Sequence, residues 1–142
     1  MSLASVAVRT SNLTISQASA EIRTTAAVKA RLLEMSLMQA TATAQSLGFG
    51  RPAAQGVTPG TTSTFQRDDS ADPACVTTQN LTWATSPTAP TVYHRRWNSA
   101  ATVGVGYVMT FPRGIIIPVS ASYVVFNITA AVAIDLNCAI DE

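Results

Sequence analysis

His94 is the one histidine in the chain, and it stands between Tyr93 and the run Arg95-Arg96-Trp97. A serine-hydrolase constellation needs a histidine oriented by a carboxylate and facing a nucleophile, and no motif supplies either. His94 therefore reads as a surface or interface histidine on a basic strand. Cys75 and Cys138 have neither CxxC nor Cys/His spacing, which leaves zinc without a ligand set. Asp68, Asp69 and Asp72, following Arg67, look like a fragment of a calcium loop. The glycine and bidentate glutamate such a loop requires do not follow at the right spacing, so these aspartates read as Asx turns paired with Arg67. Gly104-Val105-Gly106 lacks the third glycine and following helix of a phosphate cradle. No pair among the eight acidic residues stands out for glycoside chemistry. The expectation is a protein that is not an enzyme and needs no metal or cofactor.

One pattern with binding character remains. Tyr93, Arg95, Arg96 and Trp97 mix basic and aromatic side chains, a mixture that can serve single-stranded nucleic acid. A net charge of +1 provides no wider basic footprint for nucleic acid or anionic membrane. The four residues are read instead as a contact patch for protein.

The elements that would carry these residues fall into three parts. Residues 1–48 read as an arm and a long helix. Ser5-Val6-Ala7-Val8-Arg9 alternates weakly, as either a frayed end or a strand added to another sheet. Thr14 and Gln17 fit a capping box with Leu13 and Ala18 as a weak staple, and Gly48 fits the glycine that ends a helix. The span between them is rich in helix formers and about 50 Å long at 1.5 Å per residue. Ile22, Leu33, Leu37 and Leu47 mark its apolar stripe, expected to pack on copies of itself or on a neighbour, and Met35 and Met38 fill gaps. Residues 49–74, rich in Gly and Pro, read as an extended linker. Residues 75–142 read as a small antiparallel β-sandwich, jelly-roll-like. In its last run Val132, Ile134, Leu136, Cys138 and Ile140 alternate with small or polar residues. Before it, Tyr123 and Val125 oppose Val124, Phe126 and Ile128, as in a strand buried on both faces. The predicted fold class is thus α+β, mainly β.

Cys138 on the apolar side of that last run reads as a free buried thiol, with a Cys75–Cys138 bridge as the alternative. Hydrophobic residues make up 47% of the chain and charged ones 12%, against about 25% charged in an average protein. Such a surface favours assembly into a homotrimer or larger. Residues 1–8 show no secretory signal, so the sequons at Asn12, Asn80 and Asn127 carry little meaning, and no run is long enough to span a membrane.

RDDSADPA (residues 67–74), Trp83 near Pro87 and Pro90, TVYHRRWNSAATVGVGYVMTFPRGIIIPVSASYVVFNIT (residues 91–129) and the closing AIDLNCAIDE together resemble small virion proteins of tailed bacteriophages. The resemblance covers about half the chain. It implies a capsid decoration or cement subunit, often trimeric, with no catalytic residues, bound to the major capsid protein or other virion proteins and located in the virion after synthesis in the host cytoplasm. A tail, neck or tail-fibre part with the helix as a three-stranded shaft is the alternative. A carbohydrate-binding module stacking sugars on Trp83, Tyr93 or Trp97 is a third.

Overall fold

The computed structural model describes residues 2–11 and 14–142. Among these the chain is strand and turn, with no helix. Four long strands open it: β1 (Leu3–Arg9), β2 (Ala18–Arg23), β3 (Ala30–Gln39) and β4 (Gln45–Pro52). An excursion of short strands follows: β5 (Val57–Pro59), β6 (Thr62–Thr64), β7 (Gln66–Arg67), β8 (Thr78–Asn80) and β9 (Trp83–Thr85). Four more complete the chain: β10 (Pro90–Ser99), β11 (Gly106–Ile117), β12 (Ser122–Asn127) and β13 (Ile134–Asp141).

Pairing is antiparallel and nested. β1 pairs with β13, β2 with β12, β3 with β11 and β4 with β10. The first and last four strands are therefore the arms of one long hairpin. Successive pairs alternate between two sheets, one ordered β11-β3-β13-β1-β7 and the other β10-β4-β12-β2-β8-β6, with β5 and β9 as a separate pair. Rolling a four-plus-four hairpin in this way is the winding of a jelly roll.

The two sheets enclose one core. Leu32, Met35 and Leu37 of β3, Leu47 and Phe49 of β4, Tyr123 and Val125 of β12, and Leu136, Cys138 and Ile140 of β13 are all buried there. Each fully buried large apolar side chain contributes about 1.5–3 kcal/mol. β13 alternates as its sequence predicts, with Ile134, Leu136, Cys138 and Ile140 inward. β12 is buried on both faces: Tyr123 and Val125 join the main core, while Val124 and Phe126 form a second cluster with Ala18 under Trp83 and Tyr93.

The long helix of the sequence reading does not form. Residues 14–17 make a turn into β2, and residues 18–48 become β2, β3 and the start of β4; Asn12 and Leu13, on which a sequon and the staple fell, lie outside the described residues. A bulge explains the helical appearance of β3. Glu34 pairs with Ala139 and Leu32 with Ile140, leaving Leu33 as an extra residue. Bulging there places Leu32 and Met35 on one face although they are three apart, the spacing of a helix stripe. Met35 fills the core as expected, whereas Met38 is partly exposed.

Gly48, expected beyond a helix end, sits inside β4, where a β-carbon would overlap the ring of Tyr93. The 49–74 linker is likewise strand over much of its length, and both sheets mix strands from residues 1–48 with strands from 75–142. The arm is β1, paired between β13 and β7 of its own chain. Removing residues 1–48 takes away one arm of the hairpin, and the remainder should show no cooperative unfolding transition in urea followed by tryptophan fluorescence.

The excursion is tied down by a buried carboxylate. Glu21 of β2, fully buried, accepts hydrogen bonds from Trp83 Nε1 (2.9 Å), Arg23 Nη2 (2.9 and 3.1 Å), the Gly56 amide (3.3 Å) and Asn80 Nδ2 (3.4 Å). Removing one partner of a buried charged pair costs about 3–5 kcal/mol. Glu21→Ala should therefore lower thermal stability by that order and raise Trp83 exposure, both measurable by intrinsic fluorescence during melting.

Candidate functional site

β10 and β11 are the end strands of their sheets and lie on the same side of the sandwich. The Tyr107 hydroxyl donates to the Asn98 carbonyl across them, and the Arg95 guanidinium carbon lies 5.9 Å from the Phe111 ring centre. Between the strands runs an open cleft of about 400 Å³ lined by His94, Arg95, Phe111, Arg113 and Gly114.

Local backbone irregularities aim these side chains. Tyr93 pairs with Gly50 and Arg95 with Phe49, so His94 is an extra residue. That shift puts Tyr93 and Arg96, opposite Gly50 and Gly48, on the outer face. It turns Arg95 and Trp97, opposite Phe49 and Leu47, toward the cleft and core. On β11, Thr110 pairs with Glu34 and Ile115 with Leu32, so the segment carrying Arg113 loops out of register. Gly114 there has a φ of +64°, and a β-carbon would also strike the Arg31 side chain.

Aromatic rings form the floor. Phe49 stacks on Tyr123 at 5.2 Å and on Phe111 at 6.4 Å, and His94 meets Tyr123 edge-on at 5.3 Å. The Arg51 guanidinium carbon lies 5.2 Å from the Tyr123 ring centre, and that of Arg96 lies 5.7 Å from Tyr93. Such cation–π contacts each contribute about 0.5–1 kcal/mol when exposed. Among the described residues the ion pairs are Arg9–Asp135, Arg23–Glu21 and Arg67–Glu142. Arg51, Arg95, Arg96 and Arg113 thus have no carboxylate partner. The edge presents planar donor forks over apolar rings, suited to carboxylates, carbonyls and apolar side chains. His94 Nε2 meets the Tyr123 hydroxyl at 3.4 Å.

Tyr93, Arg95, Arg96 and Trp97 thus share β10 but not one face, Tyr93 and Arg96 lying outward and Arg95 and Trp97 toward the cleft and core. Ile22, Leu37 and Leu47 are each 2% exposed inside the core and leave almost no surface for a partner, while Leu33 is the half-buried bulge residue of β3. Arg51, Phe111 and Arg113 escape the sequence reading because they come from β4, which pairs with β10, and from β11, which meets β10 only where the two sheets pack together. The more voluminous depression, about 560 Å³ on the outer face of the five-stranded sheet, is lined by Ser5, Ala7, Asn137, Ala139 and one carboxylate, Glu34. Among the described residues no three His, Cys, Asp or Glu side chains gather as a metal site.

Arg67 does not pair with the neighbouring aspartates. It donates to Glu142 Oε1 (3.2 Å) and to the carbonyls of Ser2 and Pro73 (both 2.8 Å), whereas Asp69 Oδ1 accepts the Ala71 amide (2.9 Å) in the expected Asx turn. Glu142 also accepts the amides of Thr77 (2.8 Å) and Val76 (3.0 Å) and the Cys75 thiol (3.1 Å). Both cysteines are free and buried. Burial, then the hydrogen bond to Glu142, push Cys75 up to about 11, and burial pushes Cys138 up as well, so neither is a ready thiolate.

Burial by itself raises the Glu142 carboxyl, but the donors of Thr77, Val76 and Cys75 outweigh it and hold the group below its ordinary 4.5. A carboxylate held low in the fold stabilises above its unfolded pKa and loses that contribution as pH falls through the folded one. Melting temperature should therefore decline as the medium is acidified below pH 4.5. Glu142→Gln should melt lower at neutral pH and show a shallower acid decline, read by circular dichroism across pH. No known family model, curated protein or solved structure matches the chain.

Proposed function

We propose that the chain is a structural, non-catalytic subunit of a virion, a capsid decoration or cement protein that grips neighbouring protein through the β10–β11 edge. The observation that carries this reading is the set of four arginines without carboxylate partners among the described residues, three of them laid over aromatic rings. Arg and aromatic residues dominate binding energy at protein interfaces. Exposed apolar residues flank the set, Val92 at 74%, Val108 at 59% and Tyr107 at 39%, on a chain with little charge elsewhere. The rolled sandwich supports the reading by analogy, since capsid proteins use this winding among others. The partners are copies of itself, as a trimer or larger, and the major capsid protein or other virion proteins.

Other readings lose support from particular residues. A tail component with a helical shaft has no helix among the described residues to build it from. Sugar stacking requires a free aromatic face. Trp83 covers the second cluster and bonds Glu21, Tyr93 lies on Gly48 and near Phe126, and Trp97 packs on the core.

Binding to phage particles that lack the subunit, measured by co-sedimentation, tests the proposal. Arg95→Glu with Arg113→Glu should weaken binding at least about tenfold, the cost of losing one hot-spot contact, while the melting temperature stays near that of the parent. Equal binding by the double variant would overturn the assignment of this edge.

A further inference from the structure

Two groups of exposed charge without ion-pair partners among the described residues lie on this molecule, with Lys29 and Glu34 outside both. Arg51, Arg95, Arg96 and Arg113 surround β10 and β11. At the other end of the five-stranded sheet lies β7, and directly after it come Asp68 and Asp69, exposed, and Asp72, half-buried. None of the three pairs with a cation among the described residues. Five strands spaced by about 4.8 Å separate the two charged regions by about 19 Å across the sheet. Each region is bordered by apolar residues that face solvent: Val92, Tyr107 and Val108 at the basic edge, Leu3 and Val76 at the acidic one.

We infer that copies of this chain associate head to tail, the β10–β11 edge of one docking on the acidic segment after β7 of the next. This rests on the reading of the chain as an assembling structural subunit and specifies how it assembles. An isologous contact through the basic edge would set four arginines against their own copies, and like charges brought together at an interface cost several kcal/mol. The heterologous contact sets them against carboxylates, and apolar residues against apolar residues. A heterologous contact closes into a ring where the rotation between copies allows, and otherwise continues as an open chain. Trimers are the smallest such rings.

Light scattering on the purified full chain tests this. The parent should exceed monomer mass at micromolar concentration and fall toward monomer at about 1 M salt, where screening acts over about 3 Å. Arg95→Glu with Arg113→Glu should give monomers, and so should Asp68→Arg with Asp69→Arg. A chain carrying all four reversals should regain the parental mass, and an equimolar mixture of the two double variants should associate. These residues are exposed, so thermal melts of the variants should stay close to the parent, those carrying Asp69→Arg lower only by the loss of the Asx-turn hydrogen bond to Ala71. A parent that stays monomeric would overturn the inference while leaving particle binding by the same edge intact. Association that survives reversal of the aspartates would overturn it in favour of a contact that does not use the acidic segment. Failure of the parent chain to bind particles, with the mass series as expected, would instead remove the capsid reading and keep the head-to-tail contact.

Discussion

The structure depends on pairing between its first third and its last. Leu3 meets Asp141, Ile22 meets Tyr123, Met35 meets Met109 and Gln45 meets Ser99. Among the described residues no strand of either arm pairs within its own arm, so most of each strand's backbone groups and its apolar face are satisfied only when the other arm is present. Loop closure over such distances must come before most of the contacts that reward it, which places the chain with slow, non-local β folders. The excursion between the arms is held by two buried carboxylates. Glu21 gathers Gly56, Asn80 and Trp83, and Glu142 gathers Arg67 with Cys75, Val76 and Thr77. Both sit at points where the rolled hairpin would otherwise leave loop amides unsatisfied.

What could be read from the residues follows from this dependence. β13 was legible because one face packs and the other does not, so polarity alternates. β12 was legible because both faces are covered and its apolar run is continuous. β2, β3 and β4 were not. Ala, Leu, Met, Glu and Gln favour helix locally, yet that preference is a weak prior which tertiary pairing overrides. The bulge at Leu33 then disguised a period of two as a spacing of three. Glycine misled for a related reason. In β4, Gly48 and Gly50 lack side chains because Tyr93 and Pro90 lie where those side chains would be. The need for small residues is set by a strand some forty positions later, which no local window contains.

The site was half legible. β10 carries its own Arg and aromatic residues, but the extra residue at His94 and the strand's alternation divide them between its two faces. Arg51 and Arg113 looked like linker and turn residues because their role arises only when β4 and β11 flank β10. The apolar residues expected to form an interface show the converse. Ile22, Leu37 and Leu47 looked like a surface stripe only on the premise of a helix, and in a sandwich they are its centre. One error of secondary structure thus put Ile22, Leu37 and Leu47, which the core buries, beside the β10 residues in the expected interface.

An arginine at a sheet edge has two physical explanations. It can guard the edge against pairing with other strands, or it can bind. Guarding needs only charge held in water, by any flexible side chain. Here Arg51, Arg95 and Arg96 lie over aromatic rings, an arrangement that restricts them before any partner arrives. The guarding function is also met by other means. Pro90 and Pro112 lack the amide that a further strand would use, and the irregularities at His94 and between Thr110 and Ile115 break the ladder on both end strands. An edge already closed to strand addition gains little from ordered guanidiniums, whereas side-chain docking gains from their being pre-arranged. The same features therefore disfavour one mode of association and favour the other: on the proposed reading, a partner meets this edge through carboxylates and apolar side chains, not by extending the sheet.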